Sequence, residues 1–264
     1  MLLSVPVWLG VDMLSPMRVT VLGSAGSFPA AGRPGSGFLV AEGTTNLLID
    51  AGPGTFFALA ELMDPGALDG IVITHTHADH CSDFYAYFHY LAYGPGGTSP
   101  MPVFLPQGAP ELLAGLVGGD PAHTFFEVFD LRVVGDDEIS LGALALRFAP
   151  TDHSVPTVAV RVEVGGKSLV YSSDTGVEGG VPALAGFADV LLCEATLQGD
   201  RPSEGFQQHL TAAETGRIAS AAGVGRLVLT HLPPSLDAAV SIAEASAVFA
   251  RPVTFAEPGT ELEV

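Results

Sequence analysis

The chain has 264 residues, of which 48% are hydrophobic, and a formal net charge of −19 from 29 acidic and 10 basic side chains. This composition excludes an intrinsically disordered chain, because it provides enough apolar material for a substantial core. The acidic balance argues against binding to nucleic acids or anionic membranes by general electrostatic attraction.

The first sixteen residues are apolar, but they do not have the features of a targeting signal. No positive charge precedes the apolar run, Asp12 interrupts it, and it is too short to span a bilayer. We therefore interpret residues 1–16 as a leader outside the core, and we predict one domain over residues 17–264. Two cysteines, Cys81 and Cys193, are too few for a disulfide framework, so we expect a cytoplasmic protein.

Short apolar runs alternate with helical patterns along the rest of the chain. The predicted strands span residues 19–22, 37–40, 47–49, 71–74, 103–105, 144–148, 157–164, 168–171, 190–193, 227–230 and 253–255. The predicted helices span residues 55–63, 83–93, 109–119, 211–223 and 236–249. Thr211 and Glu214 form a capping box at the start of the fourth helix, and Ser235 is the expected N-cap of the fifth. This pattern predicts sheets covered by helices.

Ionisable side chains follow many of these strands. The residues that end a strand, or lie within a short turn of its end, are Asp50, His75, His153, Asp174, Glu194 and His231. In sheet proteins flanked by helices, loops converge at the strand ends and form sites there. Six such positions therefore predict a functional site at one edge of the sheets.

The sequence HTHADH at residues 75–80 indicates a metal site. His75 and His77 point to the same side if the backbone between them is extended. Asp79 and His80 lie in the next turn and would face a second position. Imidazole nitrogens and carboxylate oxygens are common zinc ligands. We expect the adjacent Cys81 to pack in the core rather than to bind metal.

The HTHADH motif, together with His153, Asp174 and His231, resembles the metallo-β-lactamase superfamily of dinuclear hydrolases, and the resemblance covers nearly all of residues 17–264. The segments at residues 19–40 and 207–231 are similar to the branch of phosphodiesterases related to ribonuclease Z. The resemblance implies a four-layer αββα sandwich in the α/β class, with metals at one edge between two sheets.

The family pattern also implies which residues hold the metals. The implied ligands are His75, His77 and His153 for one ion, Asp79, His80 and His231 for the other, and Asp174 as a bridge. Asp50 would orient the cluster through hydrogen bonds; alternatively, it is a helix cap or a turn residue beside the GPG sequence that follows. We expect two zinc ions, although manganese or iron also suits such a ligand set.

The mechanism implied by the resemblance is attack on phosphorus by a metal-bound hydroxide, with Asp79 orienting or deprotonating this nucleophile. His209 matches the family histidine that protonates the leaving oxygen, and Glu194 matches its partner, so we expect this pair to act as the general acid. Alternatively, His209 merely precedes the capped helix that begins after Thr211.

Two further segments have competing interpretations. The glycine-rich stretch at residues 23–37, with Ser24 and Ser27, either brings backbone amides to a phosphate or only turns the chain. The aromatic side chains within residues 84–93 are expected to form core or subunit contacts, with at most one or two touching substrate.

The choice of substrate depends on charge and on a missing insertion. Ribonuclease Z proper holds tRNA with a basic arm, which many members insert between the third and fourth ligand motifs. Residues 153–174 leave no room for such an arm, and the chain has only ten basic residues. We therefore expect a small phosphodiester. The ribonuclease Z-like branch includes bacterial enzymes that open cyclic nucleotides, and the resemblance to these enzymes implies 3′,5′-cyclic AMP as the leading candidate. The alternatives are a tRNA 3′-processing endonuclease, or a lactone, ester or thioester hydrolase.

A metal-stabilised binding module without activity is disfavoured, because none of the seven implied ligands is missing. By the same resemblance we expect a homodimer that pairs through the helices near the first histidine motif. We expect neither a membrane nor a long nucleic acid as a partner.

Overall fold

A computed structural model describes residues 16–95, 100–115, 121–205 and 207–264, with the side chains of residues 121–124 excepted. Two mixed β-sheets pack face to face, and helices cover their outer surfaces. The predicted four-layer αββα sandwich is therefore confirmed. The predicted leader, apart from Pro16, lies outside the described residues.

Strands and helices are interspersed along the chain. The strands are β1 (Arg18–Gly23), β2 (Gly37–Glu42), β3 (Thr45–Ile49), β4 (Gly70–Val72), β5 (Met101–Leu105), β6 (Phe129–Val133), β7 (Ile139–Leu141), β8 (Leu144–Pro150), β9 (Val158–Val164), β10 (Lys167–Tyr171), β11 (Val190–Glu194), β12 (Arg226–Thr230), β13 (Val253–Phe255) and β14 (Glu261–Glu263). The helices are α1 (Thr55–Leu62), α2 (Ala78–Cys81), α3 (Phe84–Tyr93), α4 (Ala109–Gly115), α5 (Pro121–Val128), α6 (Val181–Leu184), α7 (Ala212–Ala222) and α8 (Ala238–Ser246), with a 3₁₀ turn at Pro65–Ala67.

The two sheets have the same internal plan. The first has the strand order β14-β1-β2-β3-β4-β5-β6, antiparallel from β14 to β3 and parallel from β3 to β6. The second has the order β13-β12-β11-β10-β9-β8-β7, parallel from β13 to β10 and antiparallel from there on. β14 returns to pair with β1, with Arg18 opposite Glu263, so the last strand completes the first sheet.

Three apolar layers hold the sandwich together, and the alternation of side chains along each strand supplies them. In β3, Leu47 and Ile49 face the layer between the sheets, whereas Leu48 faces the layer under the helices of the first sheet. In β11, Leu192 faces the inner layer and Leu191 faces the layer under α6, α7 and α8. Strands buried on both faces read as continuous apolar runs, which is why the sequence pattern located them.

All eleven predicted strands coincide with observed ones, but three others escaped prediction. The strands β6, β7 and β14 alternate apolar with charged or polar residues at exposed positions, and they therefore lack a continuous apolar run.

The capping box of α7 is confirmed, since Thr211 accepts a hydrogen bond from the Glu214 backbone amide and the Glu214 side chain accepts one from the Thr211 amide. The predicted N-cap of α8 is wrong: Asp237, not Ser235, caps it by accepting from the Ala239 amide. The Asp237 carboxylate lies directly before the first turn, within reach of that amide.

The fold places the carboxyl ends of the parallel strands at one edge of the sandwich. The ends align in register, with Ile49 of β3 beside Val72 of β4 and Glu194 of β11 beside Thr230 of β12. The segments that follow these strands carry most of the predicted site residues. Among the described residues, no helix combines the length and the apolar character needed to cross a bilayer.

Candidate metal centre

The histidine-rich turn provides the donors from the first sheet. β4 ends at Val72, and His75 follows it as a fully buried side chain. His77 is the N-cap of α2 and has extended backbone angles (φ −67°, ψ 146°), so its ring lies beside that of His75, with centroids 4.8 Å apart. The short helix α2 then carries Asp79 and His80. The predicted change from extended backbone to a turn thus occurs between the two pairs of donors.

The second sheet supplies the remaining donors from three separate loops. His153 follows β8, and its Nε2 lies 3.1 Å from Nδ1 of His77. Asp174 follows β10, and its Oδ2 lies 3.6 Å from Nε2 of His75 and 3.8 Å from Nε2 of His153. These four residues form a group in which all the donor atoms lie within 4.8 Å of one another.

A second group adjoins the first. Asp79, His80 and His231 also place their donor atoms within 4.8 Å of one another. His231, directly after β12, places Nε2 3.2 Å from Oδ2 of Asp79 and 3.3 Å from Oδ1 of Asp174. Nε2 of His80 is 3.2 Å from the same Asp174 oxygen. One oxygen of Asp174 therefore faces each group, which is the placement that a bridging ligand requires.

The chemistry of this cluster fits divalent cations. His75 Nε2, His80 Nε2 and Asp174 Oδ1 are buried and make no hydrogen bond. An unsatisfied buried polar atom costs about 1–3 kcal/mol, so three of them converging on one place require a compensating partner. Cations bound among these nitrogen and oxygen atoms would supply it, and the mixture of imidazole and carboxylate suits zinc, manganese or iron.

The pKa values of His75 and Asp174 favour the binding of a divalent cation. Burial lowers the pKa of His75 well below its ordinary value, and the neighbouring charge on His80 lowers it further. Burial acts to raise the pKa of Asp174, but the charges of His231 and His80 outweigh burial, and the pKa lies well below its ordinary value. Burial acts to lower the pKa of His80, but the charges of Asp174 and Asp50 outweigh burial and raise the pKa well above its ordinary value. His75 and Asp174 thus carry the protonation states that bind metal, whereas a cation bound at His80 would displace a proton.

Asp50 lies beneath the cluster and contacts it through His80. Its fully buried carboxylate accepts hydrogen bonds from the Thr74 amide (2.8 Å), the Thr74 hydroxyl (2.9 Å) and the Tyr171 hydroxyl (3.0 Å). Nδ1 of His80 lies 2.7 Å from it, which leaves Nε2 of His80 directed at the cluster. The alternative interpretation of Asp50 as a helix cap is wrong, because Gly54 is the N-cap of α1 and the carboxylate that accepts from the first amides of that helix belongs to Asp83.

Glu194 and His209 lie against each other beside the cluster. Buried Glu194 accepts hydrogen bonds from the Thr175 amide (2.6 Å) and the Leu210 amide (3.1 Å), and Nδ1 of His209 lies 3.1 Å from it. Burial lowers the pKa of His209, but the hydrogen bond and the charge of Glu194 outweigh burial and raise the pKa to about 9. The His209 ring stacks on that of His231, with centroids 5.7 Å apart. A cationic histidine therefore stands next to a candidate metal ligand.

Thr196 connects this pair to the cluster, and the sequence analysis missed it. Its hydroxyl donates to Oε2 of Glu194 over 2.6 Å and lies 2.8 Å from Nδ1 of His231. Because the single hydroxyl proton is directed at Glu194, the hydroxyl accepts from Nδ1–H of His231, and Nε2 of His231 keeps its lone pair for the cluster. The available signal was the spacing CEAT, which places Glu194 and Thr196 on the same side of an extended chain.

Three site positions adopt a left-handed backbone conformation that side chains other than glycine rarely take. Asp50, Ser173 and His231 have φ values of 59°, 52° and 54°. Each lies just beyond the end of a parallel strand, where the chain must turn and present a group to the site. Such conformations cost of order 1–3 kcal/mol each and persist because the surrounding structure holds them.

The glycine-rich stretch packs against the cluster. The Ser27 amide donates to Oδ2 of Asp79 over 2.8 Å, so this amide is already engaged by a candidate ligand. A Cβ atom on Gly26 would lie 2.4 Å from the carbonyl oxygen of His231, so no larger residue fits there without a shift. Ser24 is buried and Ser27 is exposed. The stretch thus needs glycine for a close approach to the donors.

The aromatic side chains of α3 are mainly core residues. Phe84, Tyr87 and Phe88 are buried, and Phe84 stacks on Phe129 with centroids 4.4 Å apart.

Cys81 is buried, belongs to none of the donor groups in the described part of the chain, and has a pKa raised to about 12 by burial. This agrees with the expectation that Cys81 packs rather than binds metal.

Comparison with known proteins assigns the chain to a class. The model of the "Beta-lactamase superfamily domain" matches residues 45–232. The protein ML1173 of Mycobacterium leprae is 36% identical over 266 residues, covering 97% of this chain and 92% of that protein. Ribonuclease Z of Mycolicibacterium paratuberculosis is 30% identical over 246 residues, covering 84% and 88%.

A relative of known structure supports the same family assignment. The metallo-beta-lactamase fold protein YhfI of Bacillus subtilis is 31% identical over 225 residues, covering 82% of this chain and 87% of that protein. Its crystal structure superposes with a TM-score of 0.84, covering 94% of this chain and all of that one. The fold and the donor cluster define a metal-dependent hydrolase. The chain belongs to the metallo-β-lactamase superfamily, in its ribonuclease Z-like branch.

Proposed function

We propose that the protein hydrolyses a small phosphodiester, and that a 3′,5′-cyclic nucleotide such as cyclic AMP is its substrate. The observation that carries the proposal is the Glu194–His209 pair, which stands beside the seven donors with a proton available. Cleavage of a phosphodiester releases an alkoxide that needs a proton, and a cationic histidine next to the cluster is suited to donate it. The 30% identical relative named ribonuclease Z supports phosphodiester chemistry.

Seven side chains would hold two divalent cations in this proposal. They are His75, His77 and His153 for one, Asp79, His80 and His231 for the other, and Asp174 for both. The cations, zinc by preference with manganese or iron as alternatives, would bind the phosphate and lower the pKa of water. Asp79 would orient the nucleophile and accept its proton, because its carboxylate lies at the edge of the cluster and is held there by the Ser27 amide.

His209 would deliver the proton to the leaving oxygen. Its Nδ1 faces Glu194, so the proton that it transfers is the one on Nε2. As the ester bond from phosphorus to the leaving oxygen breaks, that oxygen takes the proton, and Glu194 stabilises the cationic ring beforehand. Glu194 is held in turn by two backbone amides, which fixes the direction of the histidine.

The surface properties favour a small substrate over tRNA. β9 and β10 are joined by the two residues Gly165 and Gly166, which form a tight turn where a basic arm would be inserted. The net charge of −19 opposes the several phosphate contacts that a tRNA requires. The second candidate is a ribonuclease Z-like endonuclease, which the relative of that name favours. Lactone, ester or thioester hydrolysis ranks third, because the segments that carry His209 and Glu194 resemble the phosphodiesterase branch, to which the relative named ribonuclease Z also points.

A substrate panel tests the proposal. The metal-loaded protein is offered bis(p-nitrophenyl) phosphate, cyclic AMP, a precursor tRNA and a lactone, and initial rates are compared. We expect hydrolysis of the first two with no cleavage of tRNA. Cleavage of tRNA without cyclic AMP hydrolysis would overturn the arguments from charge and from the missing arm, and hydrolysis of the lactone alone would overturn phosphodiester chemistry.

The role of His209 has its own test. We predict that His209→Ala lowers kcat on bis(p-nitrophenyl) phosphate by about 10²–10⁴-fold, the range for loss of a general acid. Metal content, measured by atomic absorption, should stay the same. His89→Ala on the exposed face of α3 is the control. A His209→Ala variant with wild-type kcat would remove the general-acid role.

We also propose a cytoplasmic homodimer. Both cysteines are free and buried, which suits a reducing compartment. Apolar side chains on the adjacent helices α1 and α3 are exposed, including Phe57 at 72% and Tyr93 at 68%. Light scattering should give twice the chain mass for the wild type and a monomer for Phe57→Glu. A monomeric wild type would contradict the proposal, as would a dimer that tolerates Phe57→Glu.

A further inference from the structure

A cleft of about 460 Å³ opens beside the candidate metal centre. One wall comes from the first sheet, where Pro106 follows β5 and Val134 follows β6. The other wall comes from the second sheet, through Phe148 of β8 and the loop that contains His153 and Pro156. Since His153 belongs to the donor cluster and also lines this cleft, a molecule bound at the cluster can extend directly into it. The volume lies within the range of about 300–1,000 Å³ that is usual for small-molecule sites.

The lining of the cleft is mainly apolar and carries no positive charge. Pro106, Val134, Phe148 and Pro156 supply apolar surface, and no lysine or arginine is among its described lining residues. Asp136 is the one carboxylate in the lining, and exposed Asp137 and Glu138 follow it along the chain. A second phosphate would therefore meet negative charge without a cation to offset it.

The arginine side chains near the cleft form ion pairs with acidic residues. Arg147, adjacent to Phe148, lies 2.7 Å from Glu138 and 3.5 Å from Glu163. Arg132 of β6 lies 2.6 Å from Asp130. Arg147 thus offsets Glu138, but among the described residues neither arginine pairs with Asp136 or Asp137, and these two carboxylates keep the rim of the cleft acidic.

We propose that this cleft binds the uncharged base of a nucleotide while the phosphodiester occupies the metal centre. This inference rests on the proposed function and deepens it. Half-buried Phe148 offers an aromatic surface on which a base can stack. The Asp136 carboxylate can accept a hydrogen bond from an exocyclic amino group, so bases that carry one are favoured over uracil. The cleft selects a mononucleotide-sized substrate, because an oligonucleotide continuing along it would place its next phosphate against Asp136 and Asp137.

Two variants and a matched control test the cleft. Phe148→Leu keeps an apolar side chain but removes the aromatic surface. Gly135→Trp adds a bulky group to the lining at a place where an added Cβ atom has no described atom within 4 Å, so the fold should tolerate it. At Gly115, which ends α4 and does not line the cleft, an added Cβ atom likewise has no described atom within 4 Å, and Gly115→Trp is the control.

The first measurement is direct binding of adenosine to the metal-loaded protein by titration calorimetry. We expect saturable binding to the wild type and to Gly115→Trp, and a Kd at least about 10-fold weaker for Phe148→Leu and Gly135→Trp, in keeping with the loss of one stacked base. Thermal melting confirms that each variant is folded. Adenosine binding that is absent in the wild type, or unchanged in both cleft variants, would overturn the inference.

The second measurement separates this inference from the proposed function. The ratio of kcat/KM for cyclic AMP to that for ribose cyclic phosphate, which lacks the base, is compared among the same proteins. We expect the ratio to fall about 10-fold in the two cleft variants. Equal ratios in all four proteins would overturn the cleft and leave phosphodiester hydrolysis standing. If neither compound is hydrolysed while adenosine binds as expected, the proposed function fails and the base site stands.

Discussion

Thr196 is a residue whose importance comes from two contacts rather than from its own chemistry. Its hydroxyl donates to Glu194 and accepts from His231, so it links the proposed general acid with a proposed metal ligand. Removing the hydroxyl would leave Nδ1–H of His231 without this acceptor and would free the imidazole to rotate or change its tautomer. Thr196 is thus a positioning residue in the proposed mechanism.

We predict that Thr196→Val, which keeps the shape but removes the hydroxyl, weakens metal affinity about 10–100-fold and lowers kcat. Thr196→Ser should restore both. Thr230→Val is a matched control, because the Thr230 hydroxyl is buried and makes no hydrogen bond. Competition with a chelating dye measures the affinity. Equal affinities for wild type and Thr196→Val would show that Thr196 only fills space.

The candidate metal ligands that converge in the structure were visible in the sequence, whereas the residues that contact them from behind were not. Ionisable residues that end apolar strands interrupt a strong pattern, and His75 and Asp174 therefore attract notice. Thr196 and Tyr171 have no such signal, because their roles depend on contacts with His231 and Asp50 across long stretches of the chain. Only the paired sheets bring those groups within hydrogen-bond distance.

At the scale of elements, the start of α7 holds the proposed general acid in place. Arg201 donates to the carbonyl oxygens of Gln207 and His209, each over 2.8 Å, and to the Glu214 carboxylate. Glu214 also completes the capping box with Thr211. One carboxylate therefore ties the helix cap to the loop that carries His209.

This arrangement predicts a pH dependence. Burial acts to raise the pKa of Glu214, but the hydrogen bonds from Arg201 and Thr211 outweigh burial and lower the pKa below its ordinary value of 4.5. The carboxylate therefore contributes stability above about pH 4.5, and this contribution is lost as the pH falls through the lowered pKa. Thermal melting of wild type and Glu214→Gln should differ at pH 7 and converge towards pH 3. A difference that stays constant, or that Glu61→Gln on α1 reproduces, would contradict the prediction.

The sequence pattern located the strands that are buried on both faces, but not the strands at the margins. β6, β7 and β14 expose charged or polar side chains, such as Arg132 and Glu261, so an apolar pattern has little to detect. The pairing of β14 with β1 joins distant parts of the chain, and local sequence holds no signal for it. The helix α7 was predictable because its cap and its terminating Gly223 are local features.

For the whole molecule, the main feature is that the donors come from both sheets. His75, His77, Asp79 and His80 follow a strand of the first sheet, and His153, Asp174 and His231 follow strands of the second. Cations bound among them would join the two halves of the sandwich. Metal binding and folding are then linked, since a ligand that binds only the folded state stabilises it.

We predict that zinc at 100 times its Kd stabilises the protein by about 2.7 kcal/mol for each site that it fills, which corresponds to roughly 5–11 °C in Tm per site for a domain of this size. A chelator should reverse the effect. Asp174→Asn serves as the comparison, because it removes the bridging charge and should flatten the response to zinc. Identical Tm values with zinc and with chelator in the wild type would contradict ligation by residues of both sheets.

The left-handed conformations at Asp50, Ser173 and His231 have a consequence for the evolution of heat tolerance. With respect to backbone strain alone, glycine or asparagine would be preferred at these positions, because both residues adopt that backbone with less strain. Each such replacement would relax the chain and remove a group that faces the cluster. Adaptation to high temperature in this protein therefore has to proceed elsewhere, in loops and at the surface, if catalytic capacity is to survive.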